Sequence, residues 1–201
     1  MDIVCLDLEG VLVPEIWINV AKKTGIAELR LTTRDISDYD KLMKGRIEIL
    51  KAHGLTLSDI QDVIATIEPL EGALDFLNGL RSMAQVLILS DTFTEFAQPL
   101  MKQLLWPTLW CNDLVISSEG MIEDYRMRLH DGKYHAVKAL KSLNFRTFAA
   151  GDSYNDLAMI EEADAGCLFR PPQGIVASHP HLKSTTTYEE FSLVIEEFLH
   201  R

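Results

Sequence analysis

The sequence has few cysteines, few basic residues and no long apolar run, and each shortage argues against a class of protein. Its three cysteines, Cys5, Cys111 and Cys167, are far apart and have no Cys-x-x-Cys spacing. Their wide separation argues against a disulfide framework and against a zinc site. The thiols are therefore expected to be reduced, which indicates a cytoplasmic protein.

Lys and Arg are outnumbered by Asp and Glu, 19 against 30, which gives a formal net charge of −11. A surface of this sign repels polyphosphate backbones and anionic lipid, so no nucleic-acid partner is expected. No apolar run approaches the roughly eighteen residues of a membrane span, and the N-terminus does not have the form of a signal peptide. The sequence leaves the oligomeric state open between a monomer and a homodimer.

Short apolar runs and helical patterns alternate along most of the chain. Runs at 3–8, 85–90, 147–150 and 165–169 predict buried strands. Alternating strands and helices are typical of a parallel sheet that is covered by helices on both faces. The sequence therefore predicts an α/β fold with a Rossmann-like parallel-sheet core.

One long block departs from this alternation. Residues 14–71 have an amphipathic helical pattern with no strand pattern, directly after the first predicted strand. The sequence therefore predicts a small all-helical cap, residues 14–71, inserted into a core made of residues 1–13 and 72–201.

Polar residues stand where three of the predicted strands end. Asp7 and Glu9 stand at the end of the first strand, Ser90 ends the second and Asp152 follows the third. In open parallel sheets the carboxyl ends of the strands meet at one crevice, where ligands bind. The carboxylate oxygens of Asp7 and Asp152 suit Mg²⁺, so the sequence predicts a magnesium site at this crevice.

The residue types gathered there fit phosphoryl transfer. Asp7 is the predicted nucleophile, because carboxylates form covalent aspartyl-phosphates. Glu9 is the predicted general acid and base. Ser90 and Lys133 are predicted to hold the phosphoryl oxygens and to neutralise their charge. Asp156 is expected to support a metal ligand or Lys133 through a hydrogen bond.

Four segments together resemble the motifs of the haloacid dehalogenase superfamily. They are Asp7-Leu8-Glu9-Gly10-Val11, the strand that ends at Ser90, Lys133, and the run from Gly151 to Asp156. They occur in the order of that superfamily over nearly the whole chain. The helical block is similar to the cap of its phosphoserine phosphatase branch. The resemblance implies Mg²⁺ as cofactor, with Asp7, Glu9 and Asp152 as its ligands.

The match to that branch also implies a grip on an amino-acid substrate. Glu15 resembles the cap glutamate that holds the substrate amino group, and Arg46 resembles the cap arginine that binds its carboxylate. Asn155 resembles the asparagine that lies beside the bound phosphoserine. The other expected substrate-binding residues are Ser90, Asp91 and Lys133.

Glu9 narrows the resemblance further, since most members of the superfamily carry aspartate two residues after the nucleophile. The glutamate is shared with the subgroup that hydrolyses phosphoserine and also transfers its phosphoryl group to homoserine. The resemblance thus implies phosphoserine as substrate, with homoserine as an acceptor besides water. Two alternatives stay open: a phosphatase of another small phosphomonoester, and a non-catalytic protein that binds a phosphorylated ligand.

Overall fold

In the computed structural model, which describes residues 1–32, 35–36 and 38–200, seven strands form one sheet. In chain order they are β1 Asp2–Leu6, β2 Gln85–Phe93, β3 Thr108–Ile116, β4 Ile122–Arg126, β5 Arg146–Gly151, β6 Ala165–Phe169 and β7 Lys183–Thr185. Their order across the sheet is β4-β3-β2-β1-β5-β6-β7, and all neighbours are parallel except β3 and β4. The predicted α/β fold with a parallel-sheet core is confirmed.

Helices cover both faces of the sheet. Along β1 the side chains alternate: Val4 and Leu6 join the larger apolar cluster on one face, and Ile3 and Cys5 join a second cluster on the other. No helix in the described part of the chain is both long and apolar enough to cross a membrane. The helices are α1 Ile16–Thr24, α2 Tyr39–Ala52, α3 Leu57–Ile64, α4 Ala73–Met83, α5 Thr94–Gln103, α6 Gly132–Ser142, α7 Leu157–Glu162, α8 Gln173–Ser178 and α9 Tyr188–Leu199.

Two sets of helices fill these faces. Helices α4, α5 and α9 contribute to the larger cluster, whereas α6, α7 and α8 contribute to the second. On the first face Phe76, Tyr188, Phe169 and Phe191 stack with ring centroids 4.8–4.9 Å apart. This aromatic packing ties α4 and α9 to β6 beneath them.

Between residues 14 and 71 the described residues form α1, α2, α3 and a 3-10 turn at Ala27–Arg30, without a strand. The chain enters and leaves this block at neighbouring points, since the Leu70 amide donates to the Leu12 carbonyl at 2.9 Å. Residues 33, 34 and 37 of the predicted cap and residue 201 of the predicted core lie outside the described residues.

The helical block rests on the β2–β4 side of the sheet. The Tyr125 hydroxyl of β4 donates to Asp40 of α2 at 2.8 Å. The Leu57 amide of α3 donates to the Gly120 carbonyl at 2.8 Å, in the turn between β3 and β4. These bonds hold α2 and α3 against β4 and the turn between β3 and β4.

Strand β2 differs from the prediction because it continues beyond Ser90 to Phe93. Its pairing register with β3 shifts between Leu89 and Phe93, which is the signature of a bulge. A bulge re-aims the side chains of a strand and is common beside active sites. Ser90 and Asp91 therefore lie in an irregular segment of the strand and not at its last residue.

Candidate active site

Asp7 and Lys133 form a buried ion pair at the centre of the carboxyl edge. Asp7 follows the last residue of β1, and its amide donates to the Ala150 carbonyl of β5 at 2.9 Å. Lys133 is the second residue of α6, and its Nζ lies 2.8 Å from Asp7 Oδ1. Both side chains are buried. The central strand thus presents a carboxylate whose position is fixed by main chain and by a cation.

Asp156 organises the same pocket through both of its oxygens. Oδ1 accepts a hydrogen bond from Lys133 Nζ at 2.7 Å. Oδ2 accepts from the amides of Asp152 and Ser153 at 3.1 and 3.0 Å. The side chain has no solvent exposure. Asp156 therefore fixes the loop that carries Asp152 and also holds the ammonium group that pairs with Asp7.

Asp152 completes a cluster of three carboxylates. Ligand oxygens of Asp7, Asp152 and Asp156 all lie within 4.8 Å of one another. Gly10 makes room for Asp152, since a Cβ at Gly10 would lie 2.4–2.6 Å from its carboxyl atoms. Hard oxygen donors at this spacing fit Mg²⁺. The residues present therefore suit the ion that the sequence predicts.

The charge balance of the cluster also favours a cation. Loss of hydration and the Asp156 carboxylate raise the pKa of Asp7, although Lys133 opposes them. Burial alone would lower the pKa of Lys133, but Asp156, Asp7 and Asp91 raise it well above its usual value. The raised pKa values of Asp7 and Lys133 are consistent with each other, because one ammonium group faces several carboxylates. Burial and Asp156 likewise raise the pKa of Asp152 to about 7.

Ser90, Asp91 and Asn155 line the crevice next to Lys133. The buried Ser90 Oγ accepts the Thr92 amide at 3.2 Å. Asp91 Oδ2 lies 3.8 Å from Lys133 Nζ and accepts a hydrogen bond from Asn155 Nδ2 at 2.9 Å. The structure thus brings these three residues, predicted from two separate segments, to the same place.

Glu9 lies at the border of crevice and helical block. Its Oε2 accepts the Ile16 amide at 2.7 Å, so the carboxylate binds the N-terminus of α1, where a negative charge is favoured. Loss of hydration and the charge of Glu15 raise the pKa of Glu9 to about 7. Its carboxylate lies outside the three-carboxylate cluster, so Glu9 as a metal ligand stays a prediction.

Arg46 of α2 is a buried cation with an unpaired donor. Its guanidinium stacks over the Trp17 ring at 4.5 Å, and Nη2 donates to the Leu31 carbonyl at 2.7 Å. Its Nε is buried and, among the described residues, has no hydrogen-bond partner. Burial lowers the pKa of Arg46 to about 10, which still leaves it charged at neutral pH. An unpaired buried donor is costly unless a ligand accepts a hydrogen bond from it.

Glu15 is the exposed residue that precedes α1, and its side chain does not cap that helix. Its charge raises the pKa of both Glu9 and Asp152, and it opposes the lowering of the Arg46 pKa by burial. Glu15 therefore lies near enough to Glu9, Asp152 and Arg46 for its charge to act on all three.

Sequence reasoning missed two polar side chains that reach the crevice. The Tyr39 hydroxyl of α2 and the Asn112 amide of β3 both donate to the Asp91 carbonyl, at 3.3 and 3.2 Å. Neither residue lies in a motif or at a predicted strand end. Their contacts with Asp91 depend on the tertiary structure, because each residue lies more than twenty positions from Asp91 in the sequence.

Comparisons of the sequence agree with this geometry. Residues 1–164 match the family model of haloacid dehalogenase-like hydrolases. The chain is 55% identical over 199 residues to a Pseudomonas aeruginosa protein named phosphoserine phosphatase ThrH, covering 99% of this chain and 96% of that one. It is also 55% identical over 190 residues to the phosphoserine phosphatase of Pseudomonas syringae pv. tomato, covering 94% and 80%.

Solved structures of lower identity share the fold. An apo phosphoserine phosphatase matches with a TM-score of 0.70 at 21% identity, covering 86% of this chain and 88% of that one. A phospho-aspartyl intermediate analogue of phosphoserine phosphatase matches with a TM-score of 0.69 at 18% identity, covering 88% and 90%. The expected enzyme class, a hydrolase, is confirmed. The chain belongs to the haloacid dehalogenase-like hydrolase family.

Proposed function

We propose that this protein is a Mg²⁺-dependent phosphoserine phosphatase that acts through an aspartyl-phosphate on Asp7. The observation that carries the proposal is the buried Asp7 carboxylate, held by Lys133 beside Asp152 and Asp156 at the ends of adjacent parallel strands. Two proteins named phosphoserine phosphatase that are 55% identical over most of this chain support the choice of substrate.

In the first step an oxygen of Asp7 attacks phosphorus, and the bond from phosphorus to the serine oxygen breaks. Glu9 gives a proton to the departing serine oxygen. In the second step a water oxygen attacks phosphorus, the bond to Asp7 breaks, and Glu9 takes the proton of that water. The raised pKa of Glu9, about 7, suits a group that gives and takes a proton near neutral pH.

The transferring phosphoryl group is held by Ser90 and Lys133. Lys133 Nζ already contacts Asp7 Oδ1 at 2.8 Å, so its charge lies beside the carboxylate that attacks. Electrostatic stabilisation of this kind is the main contribution of a protein to phosphoryl transfer. Asp91 and Asn155, which bond to each other, border the same space.

Mg²⁺ would be held by Asp7 and Asp152, and it would neutralise charge on a phosphate oxygen. Asp156 supports this pair, because its oxygens accept bonds from Lys133 and from the amides of Asp152 and Ser153. Asp156 is thus assigned to positioning, as the sequence predicts. The resemblance adds Glu9 as a third ligand.

Residues 14–71 serve in this proposal as the cap that selects the substrate. Arg46 binds the carboxylate of phosphoserine through its unpaired Nε, and Glu15 binds its ammonium group. The links near Leu12 and Leu70, joined by a 2.9 Å hydrogen bond, are the expected hinges. Opening admits the substrate, and closing excludes bulk water while Asp7 is phosphorylated.

The substitution Arg46→Ala tests this assignment. A charge-assisted hydrogen bond contributes roughly 1.5–3 kcal/mol, so the KM for phosphoserine should rise about 10- to 100-fold. The KM for p-nitrophenyl phosphate, which has no amino-acid carboxylate, should stay unchanged. Arg30→Ala, which removes an exposed arginine of the same block, is the matched control. Equal losses on both substrates would show that Arg46 serves folding instead.

Phosphoryl transfer to homoserine belongs to the same proposal, because both acceptors meet one aspartyl-phosphate. The assay supplies phosphoserine and Mg²⁺, with and without homoserine, and follows free phosphate and phosphohomoserine. Transfer requires phosphohomoserine to form, with free phosphate and phosphohomoserine together equal to the phosphoserine consumed. Unchanged phosphate release and no phosphohomoserine would leave water as the acceptor and remove homoserine from the proposal.

Two alternatives are separated by the same assays. A phosphatase of another phosphomonoester would turn over that substrate faster than phosphoserine and would not depend on Arg46. A non-catalytic binding protein would release phosphate at the background rate with and without Mg²⁺. The four expected motifs all retain their reactive residues, which favours the enzyme. A cytoplasmic location and a monomeric or homodimeric state remain predictions of the sequence.

A further inference from the structure

Asn112 is a buried polar side chain that bridges two loops of the crevice. It lies on β3 and is 5% exposed. Its Nδ2 donates to the Asp91 carbonyl at 3.2 Å, and its Oδ1 accepts the Arg128 amide at 3.0 Å. One amide group thus links the bulged end of β2 to the segment between β4 and α6. A substitution that removes this amide group would break both hydrogen bonds.

The first bond orients the peptide plane beside Ser90. The Asp91 carbonyl and the Thr92 amide belong to one planar trans peptide unit, so turning one turns the other. That Thr92 amide donates to Ser90 Oγ at 3.2 Å. Because Ser90 Oγ accepts there, its own hydrogen is free to point at a phosphoryl oxygen. Asn112 therefore acts on the direction of the Ser90 hydroxyl.

The second bond fixes the segment that leads to Lys133. Arg128 lies five residues before Lys133, and the chain between them includes Asp131 in a left-handed conformation, with φ +50°. A segment of this kind has no helix or strand bonds of its own to hold it. Fixing the Arg128 amide to β3 therefore limits where α6 begins and where the Lys133 ammonium group lies.

We propose that Asn112 is a positioning residue for phosphoryl transfer, which sets the Ser90 hydroxyl through the Asp91–Thr92 peptide. The proposal rests on the proposed function, since Ser90 must meet a phosphoryl group. Asn112 lies outside the four motifs, on a strand that contributes no catalytic group. The Tyr39 hydroxyl, which donates to the same Asp91 carbonyl at 3.3 Å, supports the same peptide from the helical block.

The test is a double-mutant cycle between Asn112→Asp and Ser90→Ala. Asn112→Asp keeps an acceptor for the Arg128 amide but offers no donor to the Asp91 carbonyl. Its kcat should fall about tenfold, while the KM changes little. Losses of this size are usual when a residue that orients a reacting group is substituted. In the Ser90→Ala background the same substitution should cost less than twofold, because the hydroxyl that it aims is already gone.

Thermal unfolding separates positioning from a structural role. The fall in Tm caused by Asn112→Asp should be the same in both backgrounds, since Ser90→Ala does not restore the lost bond. Thr147→Val is the control, because Thr147 is equally buried and bonds to Asp164 away from the crevice. It should lower Tm without changing kcat. An equal kcat penalty with and without Ser90 would overturn the proposal.

Two further arms keep the test decisive. If Asn112→Asp does not fold, Tyr39→Phe removes the other donor to the Asp91 carbonyl, and its kcat penalty must also vanish in the Ser90→Ala background. If wild-type protein does not release phosphate from phosphoserine, the proposed function fails, and the cycle is run on p-nitrophenyl phosphate. An additive cycle there counts against Asn112 alone.

Discussion

A single side chain, Asp156, connects Lys133 to the loop that carries Asp152. Its two oxygens hold Lys133 on one side and the amides of Asp152 and Ser153 on the other. Gly151 allows this arrangement, since a Cβ there would lie 2.1–2.4 Å from atoms of Asp156. A glycine directly before the acidic loop is therefore a steric requirement of the site.

Gly151→Ala should consequently reduce activity by roughly 10- to 100-fold, because the added methyl group displaces Asp156 from Lys133. Gly79→Ala is the matched control, since a Cβ at Gly79 in α4 meets no atom within 4 Å. That control should keep full activity and gain about 0.5–1 kcal/mol of stability, because alanine favours helices over glycine. Steady-state kinetics and urea unfolding measure both. Full activity in Gly151→Ala would contradict the steric account.

The residues that sequence reasoning places at the crevice are those carried by strand ends or motifs. Asp7, Ser90 and Asp152 meet because adjacent parallel strands end at one edge, which an alternating pattern predicts. The hydrogen bond from the Ile16 amide to Glu9 was not predictable in this way. Nor were the contacts of Tyr39 and Asn112 with Asp91, since long-range polar contacts leave no periodic signal.

At the scale of elements, the bulge of β2 and the ends of the helical block shape the crevice. Tyr188 of α9 reaches the first link of that block, where its hydroxyl donates to the buried Val11 carbonyl at 2.6 Å. The Tyr188 ring also packs on Phe76 and Phe169. The link is thus anchored to the core close to the expected hinge.

Tyr188→Phe should lower the free energy of unfolding by roughly 1–3 kcal/mol, because it leaves the Val11 carbonyl buried and unpaired. The ring packing is retained, so the loss reports the hydroxyl alone. Tyr134→Phe is the control, since within the described ranges the Tyr134 hydroxyl has one hydrogen-bond partner, Lys138, at an exposed position. The control should change stability by less than about 0.5 kcal/mol. Equal effects in urea unfolding would contradict a special role for the Val11 bond.

The elements predicted best are those with a strong period and clear ends. Strand β6 has the bounds that the sequence predicts, residues 165–169. The sequence did not predict α8 and β7, which are short, nor the first part of β3. Polar and apolar residues mix in Thr108–Asp113, and this stretch is a strand because it pairs with β2. Pairing partners lie far away in sequence, so local pattern is a weak guide there.

At the scale of the whole molecule, the acidic chain concentrates negative charge at the crevice. The formal net charge is −11, and three carboxylates converge beside a single lysine. A cation that binds only the folded state stabilises it by mass action. Stability and Mg²⁺ binding should therefore be linked.

Mg²⁺ at about one hundred times its Kd should add about 2.7 kcal/mol to the free energy of unfolding. Asp152→Asn should remove most of this gain, because it takes away a ligand oxygen of the cluster. Asp75→Asn, at an exposed position of α4, should leave the gain intact. Thermal unfolding with and without Mg²⁺ measures the linkage. An undiminished gain in Asp152→Asn would place the ion elsewhere.

The nucleophile is tested most directly by rapid quenching of the enzyme with phosphoserine labelled on phosphorus, in the presence of Mg²⁺. The account predicts acid-stable protein label that vanishes on treatment with hydroxylamine and maps to the peptide containing Asp7. Asp7→Asn should carry no label and should lose roughly four orders of magnitude of activity. A label on another residue, or wild-type turnover in Asp7→Asn, would contradict the account.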